Sequence, residues 1–85
     1  MKVRVLYFAS VREKLGRQAE EIELPAEVST IAGLRSHLRG RGGAWAEALA
    51  DTRLLRTAVN QDMSQPTASI KAGDEVAFFP PVTGG

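Results

Sequence analysis

At 85 residues, 44% of them apolar and none of them cysteine, the chain has material for one modest core; disulfides, thiolate metal sites, iron–sulfur clusters and a thiol nucleophile are excluded. Eleven basic against ten acidic residues leave a formal charge of +1, far from the concentrated positive field of a nucleic-acid binder. No apolar run approaches the ~20 residues of a membrane span, and Lys2 and Arg4 interrupt what would be the apolar segment of a signal peptide, so the expected compartment is the cytoplasm.

Lys2 to Ala9 reads as a strand, with Val3, Val5 and Tyr7 on one face and Arg4, Leu6 and Phe8 on the other. Val11 to Arg17, containing Gly16, reads as a polar connection. Glu20 to Leu24 follows as a second strand, Ile22 and Leu24 inward, paired with the first like a hairpin. Pro25 stops it. Ser29 and Thr30 offer N-cap hydroxyls ahead of Ile31, Leu34 and Leu38, whose i, i+3, i+7 spacing makes one helical stripe opposite Arg35 and Arg39. Gly33 weakens this helix by about 1 kcal/mol relative to alanine. Gly40, with Gly42 and Gly43 beyond, ends it.

Ala44 to Ala50 is alanine-rich, with Trp45 and Leu49 at i, i+4, and predicts a short second helix that closes the core. Leu54 to Asn60 reads as a third strand, Leu55, Thr57 and Val59 sharing a face. Asp62 to Pro66 reads as a turn, Thr67 to Ile70 as a short fourth segment, and Ala72 to Asp74 as a second turn. Glu75 to Phe79 is the last strand, Val76 and Phe78 inward and Phe79 outward. Helices on one face of a mixed sheet are the α+β solution. The first and last strands are the most apolar and are therefore expected in the centre, side by side. That is the β-grasp, or ubiquitin-like, arrangement, expected over residues 1–79 with an extended tail over 80–85.

The tail reads Pro80-Pro81-Val82-Thr83-Gly84-Gly85. Neither proline can continue a ladder, and together they favour an extended course away from the sheet. Six extended residues reach roughly 20 Å, enough to enter a partner's active site while the body docks outside. Glycine admits the passage of bare backbone through a narrow channel. With Gly85 read as the terminus, its carboxylate is unhindered and becomes the expected reacting group.

Other signals are weaker. His37 has no second histidine or cysteine at ligand spacing, so no metal site is expected. Asp74 and Glu75 read as turn and strand start before they read as an acid–base pair. Arg35, Arg39 and Arg41 read as a solvated helix face. Gly40 to Gly43 lacks the Lys-Ser/Thr of a phosphate-binding loop. Phe8 and Phe79 differ from these: alternation turns both outward on strands expected to be neighbours, and Met63 is placed to join them. An outward apolar patch beside a threaded tail predicts partner docking.

The strings Val5-Leu6-Tyr7-Phe8-Ala9, Ala58-Val59-Asn60-Gln61 and Gly73 to Gly85 resemble the small subunits of molybdopterin synthase, a ubiquitin-like family of sulfur carriers. Gly42 to Thr52 is the least diagnostic stretch, and no residue role is carried over from it. The resemblance implies that an ATP-dependent adenylating enzyme converts the Gly85 carboxylate to an acyl-adenylate. A sulfur donor then displaces AMP to leave a thiocarboxylate, and the tail enters the large subunit of the synthase. There it gives its sulfur to a pterin precursor. It also implies that this chain binds no cofactor, ATP being used by the adenylating partner, and that the large subunit supplies the catalytic side chains. A thiazole-pathway sulfur carrier, a protein modifier conjugated to lysines through Gly85, and a binding module with an inert tail are the alternatives.

Overall fold

The two most apolar strands lie side by side in the middle of a five-stranded sheet. The computed structural model describes residues 1–81. In chain order the elements are β1 (Lys2–Tyr7), α1 (Ala9–Leu15), β2 (Ala19–Glu23), α2 (Ile31–Arg39), α3 (Ala44–Ala48), β3 (Arg56–Val59), β4 (Asp62–Ser64) and β5 (Glu75–Phe79). The sheet order is β2-β1-β5-β3-β4. β1 and β5 are parallel, in register Val5↔Val76 and Tyr7↔Phe78, and the other pairs are antiparallel. A parallel pair needs a crossover, and the chain between β1 and β5 carries all three helices. The mixed β-grasp sheet expected from the sequence is the observed one.

One face of the sheet holds the core. Val3, Val5 and Tyr7 of β1 and Val76 and Phe78 of β5 are buried together with Ile31, Leu34 and Leu38 of α2 and with Leu49. Each such side chain contributes about 1.5–3 kcal/mol by leaving water. Thr30 is the cap of α2, accepting from the Gly33 N–H at 3.0 Å. A Cβ on Gly33 would stand 3.3 Å from Thr30 Oγ1 and 3.5 Å from Val28. The glycine that weakens α2 thus gives its first turn room to close on the cap. Gly40 ends α2 with right-handed backbone angles.

Three expectations are corrected. The connection over Val11 to Arg17 is largely helix: Val11 of α1 is buried, Leu15 packs against the core, and left-handed Gly16 (φ 70°) returns its N–H to the Arg12 carbonyl at 2.8 Å. A seven-residue helix with one fully buried position is too short for periodicity to reveal. Asp62 to Pro66 is not the turn. The reversal is the pair Asn60-Gln61, both at positive φ (50° and 73°), which joins β3 to β4 with Val59 opposite Asp62. Thr67 to Ile70 is no strand of the sheet; Ser69 forms a single bridge to Thr30, and Ile70 inserts into the core.

Candidate functional site

Among the described residues the sheet's other face carries no helix, and its register sets an apolar row straight across it. Ala19 lies opposite Leu6, Leu6 opposite Ala77, Ala77 opposite Ala58, and Ala58 opposite Met63. All five strands contribute one residue each. The next row toward the end of β5 pairs Phe79 with Arg56. The row on the other side carries Arg4 opposite Glu75 and Glu21, with Arg4 Nε 3.9 Å from Glu75. The face is therefore apolar across its middle, with Phe79 beside Arg56 at the tail end and a charged row at the other.

Phe8 is not in β1. It is the N-cap residue of α1, with extended angles (φ −123°, ψ 155°), and its backbone is held from both sides. Its N–H donates to the Phe78 carbonyl at 3.1 Å, and its own carbonyl accepts from Val11 at 3.1 Å. Ala9 follows in the left-handed region at φ 50°, which turns the chain out of the strand. The Phe8 ring remains 44% exposed and meets Phe79 edge to face, ring centroids 6.4 Å apart. Met63 lies in β4 rather than in a connection, 59% exposed and two strands over from Phe79 on the same face. The structure joins Phe8 to Phe79 and leaves Met63 at the far end of the apolar row.

β5 stops at Phe79, and Pro80 and Pro81 follow, half-buried, outside any strand. The tail residues Val82, Thr83, Gly84 and Gly85 lie outside the described residues. What is described is their point of departure: the end of a central strand, beside the Phe8–Phe79 pair.

Leu54 escaped the sequence reading. It is 78% exposed, more than Phe8 or Met63. β3 runs antiparallel to β5 with Arg56 opposite Phe79, so the residues before Arg56 flank the start of the tail. The available signal was an unpaired Leu-Leu at a strand's beginning, of which only Leu55 packs against the core.

The weaker signals resolve as architecture. Buried Asp74 accepts from Asn60 Nδ2 at 3.0 Å and from the Lys71 N–H at 2.9 Å, while Asn60 Oδ1 accepts from the Glu75 N–H at 3.0 Å. It staples the β3–β4 turn to the start of β5. Arg35 donates to the carbonyls of Leu49 (2.9 Å), Ala50 (2.5 Å) and Arg53 (2.9 Å), and this loss of hydration draws its pKa below the ordinary range. Arg39 pairs with Asp51, and Arg41 with Glu20 at 3.0 Å. These arginines are bound within the fold, not merely solvated. Among the described residues no group of three or more His, Cys, Asp or Glu is placed to hold a metal, and no helix is long and apolar enough to cross a membrane.

A β-grasp sheet with one apolar face free of helices among the described residues, its central last strand running into a Pro-Pro exit, defines a ubiquitin-like architecture. The chain belongs to the ThiS family, which matches residues 5–85. It is 47% identical over 83 residues to the molybdopterin synthase sulfur carrier subunit of Escherichia coli K12, covering 98% of this chain and 99% of that one. A solved structure from Pyrococcus furiosus, described as subunit 1 of molybdopterin converting factor, is 32% identical over 96% of this chain and 99% of its own, with a TM-score of 0.78. The fold is also that of a chain in the complex of subunits 1 and 2 of molybdopterin-converting factor from Helicobacter pylori 26695 (TM-score 0.65, 23% identity, full coverage of both chains).

Proposed function

We propose that this chain is the sulfur-carrying small subunit of a molybdopterin synthase and that its working group is the Gly85 carboxylate. An adenylating enzyme joins that carboxylate to AMP from ATP, releasing pyrophosphate. A sulfur donor displaces AMP, and Gly85 then carries a thiocarboxylate. Presented through Val82, Thr83 and Gly84 to the active site of the large subunit, the thiocarboxylate sulfur attacks the pterin precursor as a nucleophile that needs no side-chain activation here. Water then cleaves the acyl–sulfur bond, leaving sulfur on the pterin and returning the Gly85 carboxylate. Phe8, Phe79 and Met63 dock the body, and Pro80 and Pro81 direct the tail.

The observation that carries this reading is the coincidence of the tail's departure with the Phe8–Phe79 pair on the uncovered face. A monomer gains nothing from leaving the Phe8 ring exposed against a half-buried Phe79 there, whereas a partner enclosing the tail must cover them. The relative at 47% identity favours the molybdopterin pathway. Membership of the ThiS family keeps the thiazole-pathway carrier as the second reading.

The test is intact-mass spectrometry after incubation with ATP, the adenylating enzyme and a sulfur donor, followed by mixing with the large subunit and pterin precursor. Replacement of one oxygen by sulfur, reversed on mixing, is the expected result. An unchanged mass would leave an inert tail. A ladder of lysine conjugates in extracts would point to a modifier.

A further inference from the structure

Most of the chain's arginines are engaged within the fold. Arg4, Arg17, Arg39 and Arg41 each have a carboxylate partner, and Arg35 is bound to three carbonyls. Among the described residues Arg12, Arg53 and Arg56 have no carboxylate within 4.0 Å. Arg12 and Arg56 stand on elements at the end of the sheet from which the tail departs, and Arg53 precedes Arg56 by three residues. Arg12 stands in α1, its N–H directed at the Phe8 carbonyl, Arg56 lies opposite Phe79, and Arg53 precedes exposed Leu54. The lysines without a carboxylate partner among the described residues, Lys2 and Lys71, lie toward the other end of β1 and β5.

We propose that Arg53, Leu54 and Arg56 form a basic rim, with Leu54 at its centre, that receives an acid-lined apolar surface of the large synthase subunit. The inference rests on the docking role given above to the uncovered face. Three features carry it. Arg56 and Met63 both line a depression of about 200 Å³, shared with Leu55, Thr57 and Pro66, so the rim is continuous with the apolar row. The loop leading into it is fixed in advance, because Arg35 holds the carbonyls of Leu49, Ala50 and Arg53, and less ordering is left for binding to impose. Guanidinium groups suit the purpose, being weakly hydrated forks that match carboxylates in two-point contact. Rim charges act mainly on encounter, so Arg53 and Arg56 should set the association rate and Leu54 the lifetime of the complex.

The experiment is stopped-flow association of the whole chain with its large subunit between low and high salt. Arg53→Glu with Arg56→Glu, Arg53→Glu alone, Leu54→Ser and Phe79→Ala are compared with wild type. The double reversal is expected to slow association about tenfold at low salt, with the difference closing at high salt and with little change in dissociation. Arg53→Glu alone lies in a loop outside the strands; it is expected to give a smaller slowing at unchanged melting temperature, so a folding defect cannot mimic the effect. Leu54→Ser should speed dissociation severalfold. Wild-type association rates and salt slopes in both charge variants, with Phe79→Ala still weakening the complex, overturn the rim and leave the docking face standing. Failure of the wild-type chain to bind the large subunit at all overturns both.

Discussion

Tyr7 donates its hydroxyl to Glu20 Oε2 at 2.9 Å from a ring only 1% exposed. An inward-facing carboxylate on β2 is thereby tied to the edge of the core. Glu20 also accepts from Arg41 (3.0 and 3.1 Å) and lies 3.2 Å from Arg17. The Arg41 guanidinium sits 4.4 Å over the Trp45 ring, which meets Tyr7 edge to face.

That environment predicts an alkaline transition. Burial first, and then the Glu20 carboxylate, hold the Tyr7 phenol far above its usual range. Below about pH 10 both folded and unfolded chains keep the proton, and this group contributes no pH dependence. Above it the unfolded chain releases the proton first, so stability falls by up to about 1.4 kcal/mol per pH unit. Tyr7 is the one tyrosine, which makes tyrosinate absorbance a clean reporter. The band should grow only as the far-ultraviolet circular dichroism is lost, and Tyr7→Phe should make the loss shallower. Tyrosinate forming near pH 10 in a chain of native dichroism would contradict this account.

Leu38 is fully buried on α2 beneath the central strands. Leu38→Ala should cost about 2–5 kcal/mol, a large fraction of what a domain this small possesses. Denaturant titration checks it; an unshifted midpoint would mean that the α2 stripe does not face the core.

Gln61 occupies the second place of the β3–β4 turn at φ 73°, a conformation glycine adopts without strain. Gln61→Gly should relieve more there than it adds in chain entropy, a net gain of about 0.5–1 kcal/mol, or several degrees in Tm. Calorimetry decides the sign, and a lowered Tm would show the turn to be held by something other than its backbone preference.

Phe79→Ala and Phe8→Asp should each weaken association with the large subunit by about tenfold or more, as loss of a central aromatic anchor does. Both rings lie on the uncovered side, so Tm should move far less than for Leu38→Ala. Isothermal titration beside thermal melts separates the two effects. Undiminished affinity in both variants would remove the face from the docking interface.

Much of this was legible in the sequence because strand alternation and the Ile31, Leu34, Leu38 stripe each encode a buried face directly. Proline and glycine punctuation marked the exit of β5 equally well. What escaped was decided by tertiary partners. α1 is held by Val11 and a left-handed Gly16, too little pattern to distinguish it from a loop. β4 is three residues of mixed polarity whose only strand credential is their pairing with Thr57, Ala58 and Val59 of β3. Glu20 faces inward against its charge because Tyr7, Arg17 and Arg41 converge on it from segments distant in sequence. Leu54 could not be told from a core leucine until β3 was seen to begin two residues later.

The central claim is that the Gly85 carboxylate, and no side chain, is the reacting group. Removing Gly85 leaves a chemically equivalent carboxylate on Gly84 that falls ~3.3–3.6 Å short of the reacting centre. Misplacement by 1 Å costs about 100-fold in rate, so the loss should be nearly complete. One residue added after Gly85 should be as damaging, by placing the wrong carboxylate in the channel. Neither change touches the core, and Tm should stay within the small range of a surface edit. The decisive measurement is intact-mass spectrometry of wild type, the deletion and the extension after ATP-dependent sulfuration, with pterin product assayed on the large subunit. Exchange of one oxygen for sulfur and pterin sulfuration by the wild type alone is the result this account requires; efficient pterin sulfuration by the chain lacking Gly85 would contradict it.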